Sequence, residues 1–182
     1  MIYIGIDPGK KGAIAVIRNV EPKIKIYDMP LKENGDIDSN KLLYLLRNYE
    51  YDLSFCVLEK AQAMRKHGAV QGAVSSFTYG IGYGKILATL DSLKKQLQYK
   101  EVHPMSWKKE FSLTSKKEEK LTSKDRKELS EKKALELFPN QKRRFYTKRG
   151  KLLDGRVEAL LIARYAEIEY HRKTRAVRRK PK

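Results

Sequence analysis

MIYIGIDPGKKGAIAVIR, residues 1–18, decides the fold. Ile2, Ile4 and Ile6 alternate with Tyr3, Gly5 and Asp7, the period-2 signature of a strand with two unlike faces. Pro8-Gly9 ends the run with turn chemistry, and KGAIAVIR (11–18) returns as a second strand. PKIKIYDMP (22–30) reads as a third, closing an antiparallel meander. A loop rich in Asn, Gly and Asp (33–38) then leads into a helix, NKLLYLLRNYE, capped by Asp38 or Ser39, with Leu42, Leu43, Leu45 and Leu46 on its apolar side. LSFCVLE (53–59) is short and apolar. Reached through a helix, it reads as a buried strand parallel to the first. From about Gly68 to Leu97 the pattern is helical. Gly80, Gly82 and Gly84 interrupt it and are read as a close approach to another backbone, not as a phosphate loop, because GIGYG does not follow a strand. QYKEVHP (98–104) is a last strand stopped by Pro104, and 112–133 an exposed loop or solvated helix. KELSEKKALELFP is an amphipathic helix ending near Pro139, and a final helix runs from about Leu153 to His171. The order predicts one α/β domain with a mixed sheet over residues 1–170, followed by a basic tail, 171–182.

Composition narrows the partners. The chain has 182 residues, one core's worth, and no apolar run near the roughly 20 residues of a membrane-spanning helix. Its first residues lack the basic region and apolar stretch of a signal peptide, and its single cysteine, Cys56, makes no internal disulfide or multi-thiolate site. An intracellular, cytoplasmic protein is expected, with no membrane partner. Net charge is +18 and unevenly spread. Residues 1–102 carry 15 basic and 11 acidic side chains, whereas 103–182 carry 25 and 11. PNQKRRFYTKRGK (139–151) has six basic groups and no acid, and HRKTRAVRRKPK (171–182) has seven and none. Acid-free runs of this kind suit a polyanion, nucleic acid before anionic membrane or an acidic protein.

Four acids stand out by position. Asp7 ends an apolar strand before Pro-Gly, where an aspartate can also serve simply to cap the turn. Glu59 ends another, and alternation puts it on the face of Phe55 and Val57, where a carboxylate needs a salt bridge or a cation. With Asp154 set at 0° on a helical wheel, Glu158 falls at about 40° and the stripe of Val157, Leu161, Tyr165 and Ile168 between about 300° and 20°. Both acids therefore point along or beside the core-facing stripe, while Arg156 and Glu167 face solvent. Like charges at i,i+4 repel, so something positive is expected between them: an Arg, a Lys or a divalent ion. Oxygen donors indicate a hard cation, Mg²⁺ or Mn²⁺, and the scattered His67, His103 and His171 make zinc a poor fit.

IGIDPGKKGAIAVI resembles the first hairpin of the RuvC family of Holliday-junction resolvases. VLEKAQAM followed by GIGYGKI resembles that family's second-carboxylate strand and next helix, and DGRVEALLIARY its final motif. HPMSWKKEF resembles the Pro-x-x-Trp/Val-Lys-Lys element of phage and poxvirus-like members. The four motifs occur in order across most of residues 1–170, so the resemblance is to the phage-type branch. It implies an RNase H-like mixed five-stranded sheet flanked by helices. It also implies a crossover junction endodeoxyribonuclease working as a homodimer on branched DNA, with two Mg²⁺ per site, or Mn²⁺ in their place. Cleavage by metal-activated water, leaving 5′-phosphate and 3′-hydroxyl ends, is expected. Asp7 matches the first metal ligand, Glu59 the second and Glu158 the acid preceding Ala in the last helix. The family's other acid, three residues before that one, is here Gly155, and Asp154 is expected to take its role. An aromatic that helps open the junction is missing from Lys60-Ala61-Gln62-Ala63-Met64. Met64 and Phe77 are the candidates to replace it.

For DNA contacts, Lys108 and Lys109 beside Trp107, and Lys142, Arg143, Arg144, Lys148 and Arg149, are expected on phosphates. Phe145 and Tyr146 inside the basic segment either stack on an unpaired base or pack in the core. Along 70–97, Val70, Val74, Phe77, Ile81, Ile86 and Leu87 can be buried against the sheet or against a partner. Three rival readings share some of these features. A ribonuclease H or transposase-like enzyme shares the chemistry. An actin or sugar-kinase type ATPase shares the hairpin but needs two such domains. A non-catalytic DNA-binding protein needs only the basic surface.

Overall fold

Alternation in β1 (Ile2–Asp7) sends Ile2, Ile4 and Ile6 into one apolar core and Tyr3 into the other, so this strand faces buried surface on both sides. The computed structural model describes residues 1–20, 23–49, 54–61, 65–66, 69–70, 72–114 and 121–178. β1 turns at Gly9, whose φ of 116° suits glycine, into β2 (Ala13–Arg18). β3 (Ile24–Asp28) completes the antiparallel meander. Asp38 caps α1 (Ser39–Arg47), accepting from the backbone N–H of Asn40 and Lys41, and α1 buries Leu42 and Leu46. β4 (Ser54–Glu59) then pairs parallel with β1. β5 (Arg65–Lys66) and β6 (Ala69–Val70) form a two-strand hairpin. After α2 (Ala73–Ser92), β7 (Leu97–Val102) pairs parallel with β4. The sheet order is β3-β2-β1-β4-β7, the expected mixed five-stranded sheet. α3 (Pro104–Glu110), α4 (Ser123–Leu137), a 3₁₀ turn (139–145) and α5 (Asp154–Arg178) follow.

Residues of α1 and α2, among them Leu42, Leu46, Ile86 and Leu90, cover the face of Ile4 and Ile6. α5 covers the other face, over Tyr3, Ala15 and Val57. It lies on the sheet at backbone distance, since a Cβ added to Gly5 would stand 2.1 Å from the Ala163 nitrogen and 2.3 Å from the Ala159 oxygen. Arg156 lies on the outer side of α5, as expected, but it is paired rather than free. Its guanidinium donates to both carboxylate oxygens of Asp28, at 2.6 Å each, and to the Arg144 carbonyl, tying α5 to the end of β3.

Several boundaries differ from the sequence reading. α2 is shorter than 68–97, and among the described residues its glycines meet no other backbone. Among the described residues, nothing lies within 4 Å of a Cβ placed on Gly80 or Gly84, and Gly82 faces the Ile37 side chain. α4 starts earlier than expected, at a capping box between Thr122 and Asp125. α5 runs past His171 to Arg178, so the basic tail begins as helix. Pro104 opens α3 rather than merely ending β7, with the His103 ring accepting from the Met105 N–H. Among the described residues, no helix is long and apolar enough to cross a membrane.

Candidate metal centre

Strand parity places the first two acids. Asp7 shares a face of β1 with Tyr3 and Gly5, and Glu59 shares a face of β4 with Phe55 and Val57, all turned toward α5. Because Ile6 lies opposite Leu58 in a parallel ladder, the two acids end neighbouring strands side by side. The third comes from α5. Gly155 permits that helix to start against the β1–β2 turn, where an added Cβ would stand 2.2 Å from the Lys11 carbonyl and 3.1 Å from Asp7 Oδ2. Glu158, one turn on, then reaches the strand ends. One oxygen each from Asp7, Glu59 and Glu158 lies within 4.8 Å of the others.

Asp154 stands outside this group, its carboxylate 2.7 Å from Lys127 Nζ of α4. The positive charge expected between the two helix acids is therefore divided. Lys127 holds Asp154, and Lys108 Nζ lies 3.5 Å from Glu158 Oε1. Gly155 explains the departure from the RuvC-type pattern, because the backbone of the turn leaves no room for a side chain there.

α3 supplies two neighbours that sequence spacing did not assign to the site. Trp107, fully buried, donates its indole N–H to Glu59 Oε2 at 2.6 Å. Lys108, expected on a phosphate, lies 4.9 Å from the centre of the Trp107 ring and beside Glu158. The Pro-x-x-Trp-Lys order was the available signal. A seven-residue helix shows too little periodicity to reveal which way its side chains point. Tyr79 of α2 also borders the site. Burial, with the charges of Asp7 and Glu59, pushes its hydroxyl up to about 12. Beyond Tyr79, a cleft of about 600 Å³ opens between the β1–β2 turn and α2, with Lys10 and Lys85 on its walls.

The electrostatics leave the acids short of positive charge. Burial, then Glu158 and Glu59, holds the Asp7 carboxyl well above the usual aspartate range, against the pull of Lys108. Burial raises Glu59 too, reinforced by Glu158 and opposed by Lys108 and the indole hydrogen bond. Glu158 is raised by burial and Asp154 and lowered by Lys108. Lys108, helped only by a Lys127 already paired with Asp154, does not offset three converging acids, whereas a hard divalent cation fits an all-oxygen donor set. The described histidines are engaged elsewhere, His103 at the start of α3 and His171 on the Tyr3 hydroxyl.

The remaining expected residues lie at the surface, with few exceptions. Lys109, Lys142, Arg143, Arg144, Lys148 and Arg149 are exposed, and Arg144 also donates to the Ile24 carbonyl. Phe145 does not stack on a base, for it is fully buried in the core beneath α5. Tyr146 is half-buried and bonded to Glu131. Phe77 is 71% exposed, and Met64 lies outside the described residues.

No protein-family profile matches the chain, and no curated protein matches it by sequence. Solved structures do match. T. thermophilus RuvC, solved in complex with a Holliday junction substrate, superposes with a TM-score of 0.55 at 15% identity, over 95% of this chain and 96% of that one. Fowlpox virus resolvase, solved with its substrate Holliday junction DNA, gives a TM-score of 0.47 at 17% identity, over 93% and 99%. The first likeness shows that the chain shares the RuvC fold, an RNase H-like mixed sheet flanked by helices.

Proposed function

We propose that the chain is a divalent-metal-dependent endonuclease of the RuvC kind that cuts branched DNA, with the four-way junction as its first candidate substrate and the replication fork as the second to be tested. The observation that carries this reading is the convergence of Asp7, Glu59 and Glu158 at the ends of two parallel strands and the start of α5. Net charge of +18 and a fold shared with a RuvC solved on a Holliday junction support DNA as the polyanion. Asp7, Glu59 and Glu158 are the metal ligands, with Asp154 the outer acid that adds to their field.

These residues would hold Mg²⁺, two ions per site and replaceable by Mn²⁺, and the metal would supply activation of water and relief of charge on the leaving oxygen of an in-line hydrolysis. The chain's own groups bind and orient. Lys108 keeps a positive charge at the edge of the cluster. Exposed Lys109, Lys142, Arg143, Arg144, Lys148 and Arg149 hold the DNA backbone without reading its sequence. A twofold homodimer presents two such sites to a nearly twofold junction. The exposed Val74, Phe77 and Ile81 of α2 supply an apolar face for it.

The test is a panel of four-way junction, fork, duplex and RNA–DNA hybrid, incubated with Mg²⁺ and with EDTA. Cleavage of the branched substrates in Mg²⁺ alone is expected, leaving 5′-phosphate ends. Asp7→Asn and Glu59→Gln should lose about 10³-fold in rate, the several kcal/mol attributed to such sites, while still binding the junction. Cleavage that persists in EDTA overturns the metal assignment, and preference for the hybrid makes the enzyme a ribonuclease instead.

A further inference from the structure

We infer that Trp107 is a positioning residue for the metal centre, its indole N–H holding the Glu59 carboxylate so that the free oxygen faces the cation. This rests on the metal-dependent reading above. Trp107 is fully buried, and it is the only tryptophan in the chain. Its N–H can only donate, and it does so at 2.6 Å to Oε2 of Glu59, leaving Oε1 unclaimed by the indole. Glu59 ends its strand, so backbone pairing alone fixes its Cα but not the rotation of a three-bond side chain. One short bond from a ring buried in the same core as Phe111, Leu113 and Val157 supplies that restraint.

The same short helix reaches a second acid. Lys108 Nζ lies 4.9 Å from the ring centre and 3.5 Å from Glu158 Oε1. Consecutive residues of α3 therefore reach Glu59 and Glu158, which come from different elements. A side chain present only to fill core volume has no need of an N–H, and Phe would serve. Partners that orient a ligand in this way are worth about 10–100-fold in metal affinity or activity.

The decisive variant exchanges Trp107 for 3-benzothienylalanine, which keeps the ring system and puts sulfur in place of the N–H, in the full-length protein. Trp107→Phe is made alongside. The isostere should unfold within a few degrees of wild type without metal, yet bind Mn²⁺ about tenfold or more weakly in the absence of DNA. It should need proportionally more metal for half-maximal cleavage, with KM for the junction unchanged. In the wild type, Mg²⁺ should shift the emission of the lone tryptophan, and Glu59→Gln should remove that shift. An isostere with wild-type Mn²⁺ affinity overturns the role of Trp107 and leaves the metal site standing. A wild-type protein that binds no Mn²⁺ overturns the metal site and this inference with it.

Discussion

Asp7 illustrates what the site costs the residues that form it. Its carboxyl is held well above the ordinary value of 3.8 by burial and then by Glu158 and Glu59. The native state thus retains a proton that the unfolded chain releases, and this contribution to stability is lost as pH rises from about 4 toward the raised native value. Asp7→Asn should therefore be more stable than wild type in EDTA at pH 7, by about 1 kcal/mol or roughly 2–4 °C in Tm. The gap should close near pH 4, where the wild-type acid is already protonated, and thermal melts at both values test it. Equal Tm at pH 7 would mean that Asp7 is not under electrostatic strain. Mg²⁺ should raise the wild-type Tm and leave the variant nearly unmoved. Asp154 behaves differently because Lys127 neutralises it directly. Asp154→Asn should keep its cleavage rate within about tenfold of wild type, whereas Glu158→Gln should lose about 10³-fold. Equal losses in single-turnover assays would place Asp154 among the ligands.

α5 is the element that assembles the centre, and glycine sets its distance from the sheet. An added Cβ at Gly5 meets the Ala163 nitrogen at 2.1 Å, a backbone atom that cannot swing aside. Gly5→Ala should push the helix off β1, costing about 3 kcal/mol and lowering Tm by roughly 6–12 °C. It should also carry Glu158 away from Asp7 and weaken Mn²⁺ binding in a calorimetric titration. Unchanged Tm and affinity would show that α5 does not depend on this contact. The parts of this arrangement that were legible in sequence are those with local periodicity. Alternation in β1 and β4 put Asp7 and Glu59 on their faces, and the helical wheel turned Glu158 inward. The parts that were not legible depend on pairing across the chain. Asp154 and Glu158 sit only about 40° apart on the wheel, yet Lys127 and Lys108, from two other helices, draw them to different partners. α3 was hidden because a proline that stops a strand reads the same as one that opens a helix. Phe145 lies among six basic residues that suggest surface, and only the packing of the 3₁₀ turn under α5 buries it.

Across the whole molecule, the second half of the sequence carries most of the positive charge, and an apolar row is exposed on α2, in the first half. Val74, Phe77 and Ile81, at i, i+3 and i+7 on one helical face, are 80%, 71% and 45% exposed. Three large apolar side chains exposed in one line are costly for a monomer and suit burial against a second copy. A twofold axis through this face would make such a contact self-complementary, since each Phe77 would meet the same helix of its partner. Phe77→Glu places like charges opposite each other across that axis while touching none of the three grouped acids. The variant should elute as a monomer at micromolar concentration by light scattering, with a Tm and Mn²⁺ affinity close to wild type. On a four-way junction it should nick single strands but lose the paired incisions that need two sites at once. Paired incision by a verified monomer would remove the requirement for a dimer. A variant that stays dimeric would move the interface to another face of the molecule.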